Sequence, residues 1–138
     1  WSDYVGRMDT KSPTPAPPRT PTAEGFHAHV YYDAESKSDA EALRAEIDAR
    51  YDVVLGRWHD KPVGPHPFWS YQVAFAPALF GTIVPWLSMN RRDLTILVHP
   101  ETGDDLTDHS DYAMWLGDSA TLDLKRFRER AAERAAKG

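Results

Sequence analysis

The chain carries six histidines, and several sit at spacings that chemistry can use. His27 and His29 form a His-x-His pair in GFHAHVYY. His59 and His66 lie in RWHDKPVGPHP, His99 in ILVHPETGD and His109 in DLTDHSDY. Imidazole is the commonest protein metal ligand and the usual proton carrier near neutral pH. Any one of these residues alone is more simply read as a surface or core histidine. Together they predict a single metal or proton-transfer site.

Strand alternation sorts them. Phe26, Ala28, Val30 and Tyr32 alternate with His27, His29 and Tyr31, which is the period of a strand. The apolar set should face a core, which turns both histidines to the other side, roughly 6–7 Å apart at the backbone. Leu94, Ile96 and Val98 likewise alternate with Thr95, Leu97 and His99, so His99 should share a face with the pair if the two strands are neighbours. His27, His29 and His99 are therefore the expected metal ligands.

The other elements follow from period and punctuation. Ser38 with Glu41 reads as a capping box opening a helix whose apolar face is Ala40, Leu43, Ile47 and Tyr51. Val53–Trp58 reads as a strand, HDKPVGPHP as a rigid loop, and Trp69–Phe75 as a third strand. Pro77–Asn90 reads as a helix that Pro85 should kink or divide. Pro100–Gly117 reads as a long loop, and Leu122–Ala136 as a last helix with Leu124, Phe127 and Ala131 on one face. The order βαββαβ predicts an α+β, ferredoxin-like split βαβ sandwich with a C-terminal helix. Its sheet should leave one face open for a ligand or a second subunit. Residues 1–24 should form a disordered Pro-rich tail or arm, and 25–138 the domain. SPTPAPPRTPT holds five prolines and no apolar periodicity.

Loops often carry catalytic groups. His66, held between prolines, and His109, between Asp108 and Asp111, are candidates for a fourth ligand or a general base. Ser70 and Gln72 of the third strand should lie near the histidines and contact substrate. Arg91 and Arg92 are candidates to grip a substrate carboxylate bidentately, with pairing to a helix C-terminus as the plainer role. His59 has no assigned role. A metal site built on histidines often takes a carboxylate as well. Glu101 supplies that carboxylate only if the strand continues past Pro100, and an all-histidine site is the other option.

Length and composition bound the rest. A chain of 138 residues allows one domain with a sizeable core. A net charge of -5 without a basic stripe argues against a nucleic-acid partner. The lack of cysteine removes disulfides and thiolate chemistry and fits a cytoplasmic location. No apolar run approaches the roughly 20 residues of a membrane helix.

The segments GFHAHVYYD, GRWHDKPVGPHP, YQVAF, VPWLSMNR, LTILVHPETGDDLTDH and MWLG resemble the DOPA 4,5-dioxygenase family of the single-domain fungal and bacterial type. The resemblance runs from about Gly25 to Gly117. It implies a ferredoxin-like fold, a homodimer and a non-haem Fe(II) centre, with Zn a possible occupant of a crystal. It further implies extradiol cleavage of DOPA or a related catechol with O2, giving a seco-DOPA product. Two other functions fit the residues: a zinc-dependent hydrolase or isomerase, and a non-catalytic dimer that binds a small aromatic acid.

Overall fold

The computed structural model describes residues 16–20 and 22–138. Most of the expected Pro-rich arm lies outside the described residues. The domain is α+β. Its strands are β1 (Phe26–Tyr32), β2 (Val54–Leu55), β3 (Trp69–Phe75), β4 (Ile96–Pro100) and β5 (Met114–Leu116). They form one antiparallel sheet in the order β2-β3-β1-β4-β5. The helices are α1 (Lys37–Arg50), α2 (Phe80–Asn90), a short α3 (Asp105–Asp108) and α4 (Lys125–Lys137). None is long and apolar enough to cross a membrane among the described residues.

Alternation divides the sheet as the residue types require. Ala28, Val30 and Tyr32 of β1, Tyr71, Val73 and Phe75 of β3, and Ile96 and Val98 of β4 are buried against Ala40, Leu43 and Ile47 of α1 and Ile83 and Leu87 of α2. Burial of such side chains is worth about 1.5–3 kcal/mol each, which makes this layer the principal core.

Four local expectations are corrected. The helix α1 begins before Ser38, with Ser36 at its N-cap position and no side-chain cap bond. The carboxylate of Asp33 instead accepts from the backbone N–H groups of Glu35 and Ser36 and from the Ser36 hydroxyl, so the turn leading into the helix is already organised. The strand expected over Val53–Trp58 pairs regularly only at Val54–Leu55 and resumes as a bridge between His59 and Ser70. One extra residue lies on the β2 side between these pairings, as in a β-bulge. Helix α2 begins at Phe80 after a 3-10 turn at Pro77–Leu79 rather than at Pro77, and Pro85 does not divide it. The carbonyl that proline deprives of a partner is that of Gly81, which is exposed, so water can satisfy it. Helix α4 starts at Lys125 rather than Leu122.

The long loop is more structured than expected. Asp104 caps α3 by accepting from the Thr107 N–H, and β5 then pairs with β4 through Leu116, Trp115 and Met114. The sheet face expected to be open is roofed. Phe68 and Trp115 lie over Tyr31, with ring centroids 5.9 and 6.2 Å away, and Phe127 of α4 lies 4.7 Å from His109. The Asp123 N–H donates to the Pro65 carbonyl, tying the roof loop to the lead-in of α4.

Candidate metal centre

Register brings the three expected ligands together. His27 of β1 stands directly opposite His99 of β4, and His29 lies two residues along β1 on the same face. Their potential ligand atoms all fall within 4.8 Å of one another. His29 Nε2 and His99 Nε2 are 2.9 Å apart. Two nitrogens bound at about 2.1 Å and at right angles around one metal would be separated by about 3.0 Å. The pair is thus spaced like one edge of a coordination polyhedron.

Hydrogen bonds orient the rings for this task. His99 Nδ1 lies 3.0 Å from the Pro100 carbonyl oxygen. A carbonyl can only accept, so Nδ1 carries the proton and the Nε2 lone pair faces His29. Such an outer partner fixes the tautomer and raises ligand basicity. Electrostatics agree with neutral rings. Burial, then the nearby His109, pulls His99 down to about 3. Burial does the same to His29, which the surrounding imidazoles push further below the ordinary value. His27 is lowered more mildly, mainly by burial and then by His109. A metal needs deprotonated ligands, and these rings are held that way.

Glu101 is close but stands outside the converging group. The ladder does continue past Pro100, because the Glu101 N–H donates to the Gly25 carbonyl and the Glu24 N–H to that of Glu101. Its carboxylate lies 3.1 Å from His27 Nδ1 and 3.6 Å from His99 Nδ1. For His99 that is the nitrogen turned away from His29. Glu101 therefore backs the imidazoles, and burial together with Asp108 and Asp105 raises its own pKa.

His66 and His109 close the cluster from the roof. The His66 ring is 4.1 Å from that of His29, and the His109 ring 4.0 Å from that of His99. His109 is aimed by its Nδ1, which donates to the Asp105 carbonyl at 2.7 Å. The adjacent Asp108, fully buried, accepts from the Thr102 N–H at 2.9 Å and the Thr102 hydroxyl at 2.6 Å. This clamps α3 to the turn after β4. Thr102→Val should cost about 1.5–3 kcal/mol by removing a bond to a buried carboxylate. Urea unfolding of the metal-free protein reads that loss directly, as a lower midpoint at an unchanged slope.

Access is uneven. His29, His66, His99 and His109 are buried, whereas His27 is partly exposed. A cavity of about 360 Å³ opens beside His27, lined also by Glu24, Val53, Val54 and Ala74. A larger cavity of about 640 Å³, between Phe26, Phe80, Pro100 and Met114, touches none of the histidines. The chemistry therefore points to the smaller one.

Residues 26–126 match the Dopa 4,5-dioxygenase family. The chain belongs to that family. Its sequence is 34% identical over 108 residues to the DOPA 4,5-dioxygenase of Amanita muscaria, covering 72% of this chain and 47% of the relative. It is 32% identical over 126 residues to an uncharacterized 21.2 kDa protein of Botryotinia fuckeliana, covering 80% of this chain and 67% of that protein. The chain thus spans about half the length of the Amanita enzyme. A crystal structure of a candidate dioxygenase from Nostoc punctiforme superposes with a TM-score of 0.77 at 50% identity, over 82% of this chain and 99% of that one.

In this family member the remaining expected site residues are placed as follows. Ser70 and Gln72 lie on β3 opposite Tyr31 and His29, on the histidine face. Arg91 and Arg92 do not join them. Arg91 donates to the Leu94 carbonyl at 3.0 Å, and Arg92 pairs with Glu46 of α1 at 2.7 Å on the helix side of the sheet. Both follow the C-terminus of α2, where cations stabilise the helix dipole. His59 contributes mainly backbone, exchanging hydrogen bonds with Ser70 and accepting at its carbonyl from the Tyr32 hydroxyl. Alternation placed Tyr31 on the histidine face, but its contact with His66 was not announced by the spacing. It shares the face of His27 and His29, and its hydroxyl lies 2.7 Å from His66 Nδ1.

Proposed function

We propose that this chain is an extradiol ring-cleaving dioxygenase that acts on DOPA or a related catechol with O2, at a non-haem metal held by His27, His29 and His99. The observation that carries this reading is the convergence of three neutral imidazoles in a member of the Dopa 4,5-dioxygenase family. Nitrogen donors of this kind suit iron, zinc, copper or nickel alike, and ferrous iron is the one whose chemistry matches the reaction. The order β2-β3-β1-β4, with α1 and α2 on one face, supports a ferredoxin-like fold to which β5 adds an edge.

Ferrous iron, when bound, supplies open positions that bring catechol and dioxygen side by side and turn a three-body encounter into an ordered one. The protein's own residues do the rest. The catechol ring enters from the His27 side and reaches along the sheet face toward Gln72, opposite His29, and Ser70, opposite Tyr31. Imidazole from His66 or His109 takes a hydroxyl proton and later returns it. Trp115 beside Tyr31 and Phe127 beside His109 limit the access of bulk water to the reacting oxygens. The ring bond beside the hydroxyl pair breaks, and both atoms of O2 end in the product, so no outside reductant is consumed.

The test is anaerobic loading with Fe(II), addition of DOPA or a simple catechol, then oxygen. Uptake of one O2 per substrate with a new visible chromophore from a ring-opened product is expected. Unchanged substrates would contradict the reading. So would activity equal with zinc and independent of oxygen, which belongs to a hydrolase or isomerase.

A further inference from the structure

We propose that Tyr31 sets the tautomer of His66, so that His66 meets the reactants as a neutral hydrogen-bond donor while His109 carries the proton-accepting nitrogen. The inference rests on the ring-cleavage reading for its role in turnover, and on geometry alone for the tautomers.

The Tyr31 hydroxyl and His66 Nδ1 lie 2.7 Å apart, and either group is able to donate. The surroundings decide. Tyr31 is 3% exposed, and His66 is the partner that its hydroxyl has among the described residues. Were His66 the donor, the phenolic proton would be buried without an acceptor, at a cost of about 1–3 kcal/mol. Tyr31 therefore donates, His66 Nδ1 accepts, and the His66 proton sits on Nε2.

His66 is the exception in the cluster. His99 and His109 donate from Nδ1 to the carbonyls of Pro100 and Asp105, which leaves a lone pair on each Nε2. His27 presents Nδ1 to the Glu101 carboxylate in the same sense. Lone pairs are what a ligand or a base requires. An Nε2–H serves neither purpose, although the His66 ring is only 4.1 Å from that of His29. What an Nε2–H can do is donate to a substrate oxygen as negative charge gathers there. A neutral imidazole does this without being consumed as an acid, and such a preorganised donor is typically worth about 100–1,000-fold in kcat. His109, with its free Nε2 beside His99, is then the group that removes the hydroxyl proton. Tyr31 is a positioning residue and touches neither metal nor substrate.

The direct test is the nitrogen NMR spectrum of histidine-labelled full-length protein near neutral pH, metal-free and loaded with diamagnetic Zn(II). Long-range proton–nitrogen correlations distinguish the tautomers, and loss of one ring's signals in His66→Gln assigns it. His66 should appear with its proton on Nε2, His99 and His109 with theirs on Nδ1, and Tyr31→Phe should shift the His66 Nδ1 resonance by removing the hydrogen bond to its lone pair. A His66 ring protonated on Nδ1 in the unaltered protein overturns the proposal, whether or not any variant folds. In turnover, His66→Gln keeps a donor and should outperform His66→Glu, which offers a base. Tyr31→Phe should lower kcat about tenfold at unchanged metal content, less than the roughly 100–1,000-fold of losing the donor itself. A Glu variant that beats Gln also overturns the proposal. The expected tautomers in a protein that cleaves no catechol would refute the reaction and leave the tautomer assignment standing.

Discussion

Replacing His99 with alanine is expected to abolish metal binding and catechol-dependent oxygen uptake together. Partners that merely support a ligand cost about 10–100-fold in metal affinity when removed, and loss of the ligand itself should exceed that. The reason for choosing His99 is geometric. It is fully buried, its Nδ1 is committed to the Pro100 carbonyl, and its Nε2 lies 2.9 Å from that of His29. Among the three converging histidines it is the one whose other nitrogen is held by a backbone carbonyl. His59→Ala is the matching control, because His59 contributes mainly backbone to the sheet. Metal content and oxygen uptake should be unchanged there. A His99→Ala protein that is folded, retains stoichiometric metal and consumes oxygen with catechol would remove the three-histidine centre from the account.

Much of this site was legible because strands have a period of two. Placing Ala28 and Val30 in the core forces His27 and His29 to the opposite face, and the same logic places His99. The register then needs only the antiparallel pairing of β1 with β4. Glu101 was harder, since a proline reads as a strand end. One residue past β4, however, the Glu101 N–H points toward the chain leading into β1, so the nitrogen of Pro100 points the other way. On that side β5 ends opposite Val98, and no ladder bond is lost. The roof was legible only in part: the apolar face of the last helix already held Phe127, but nothing local to Phe68 or Trp115 announces that both gather beside Tyr31. The same holds for the clamp between Thr102 and Asp108, two polar residues whose burial is a tertiary fact. Arg91 and Arg92 show how one residue type allows two readings. Their type suits a carboxylate substrate, but their position just after a helix had a simpler use.

The second large effect expected is acid sensitivity of the metal-free protein. His99 at about 3 and His66 at about 4 lie well below the ordinary histidine value of 6.5. Below 6.5 the unfolded chain takes up these protons while the folded chain refuses them. Stability is thus fully present above 6.5, and it falls as pH drops from there toward 4 and 3. Two pH units below 6.5, each such group would remove about 3 kcal/mol, a large share of an ordinary domain's stability. Urea midpoints of the metal-free protein between pH 8 and pH 4.5 measure this. They should hold steady above about 6.5 and fall steeply below it. A flat profile across the range would mean that the buried rings are already protonated or solvated. Bound metal should oppose the early part of the fall, because it favours the same deprotonated rings.

The measurement closest to the central claim is anomalous diffraction from crystals loaded anaerobically with Fe(II). The account predicts one strong peak bounded by His27, His29 and His99, with metal–nitrogen distances of about 2.0–2.2 Å and with Glu101 outside the bonding distance. A peak elsewhere, or none at the three imidazoles, would contradict it.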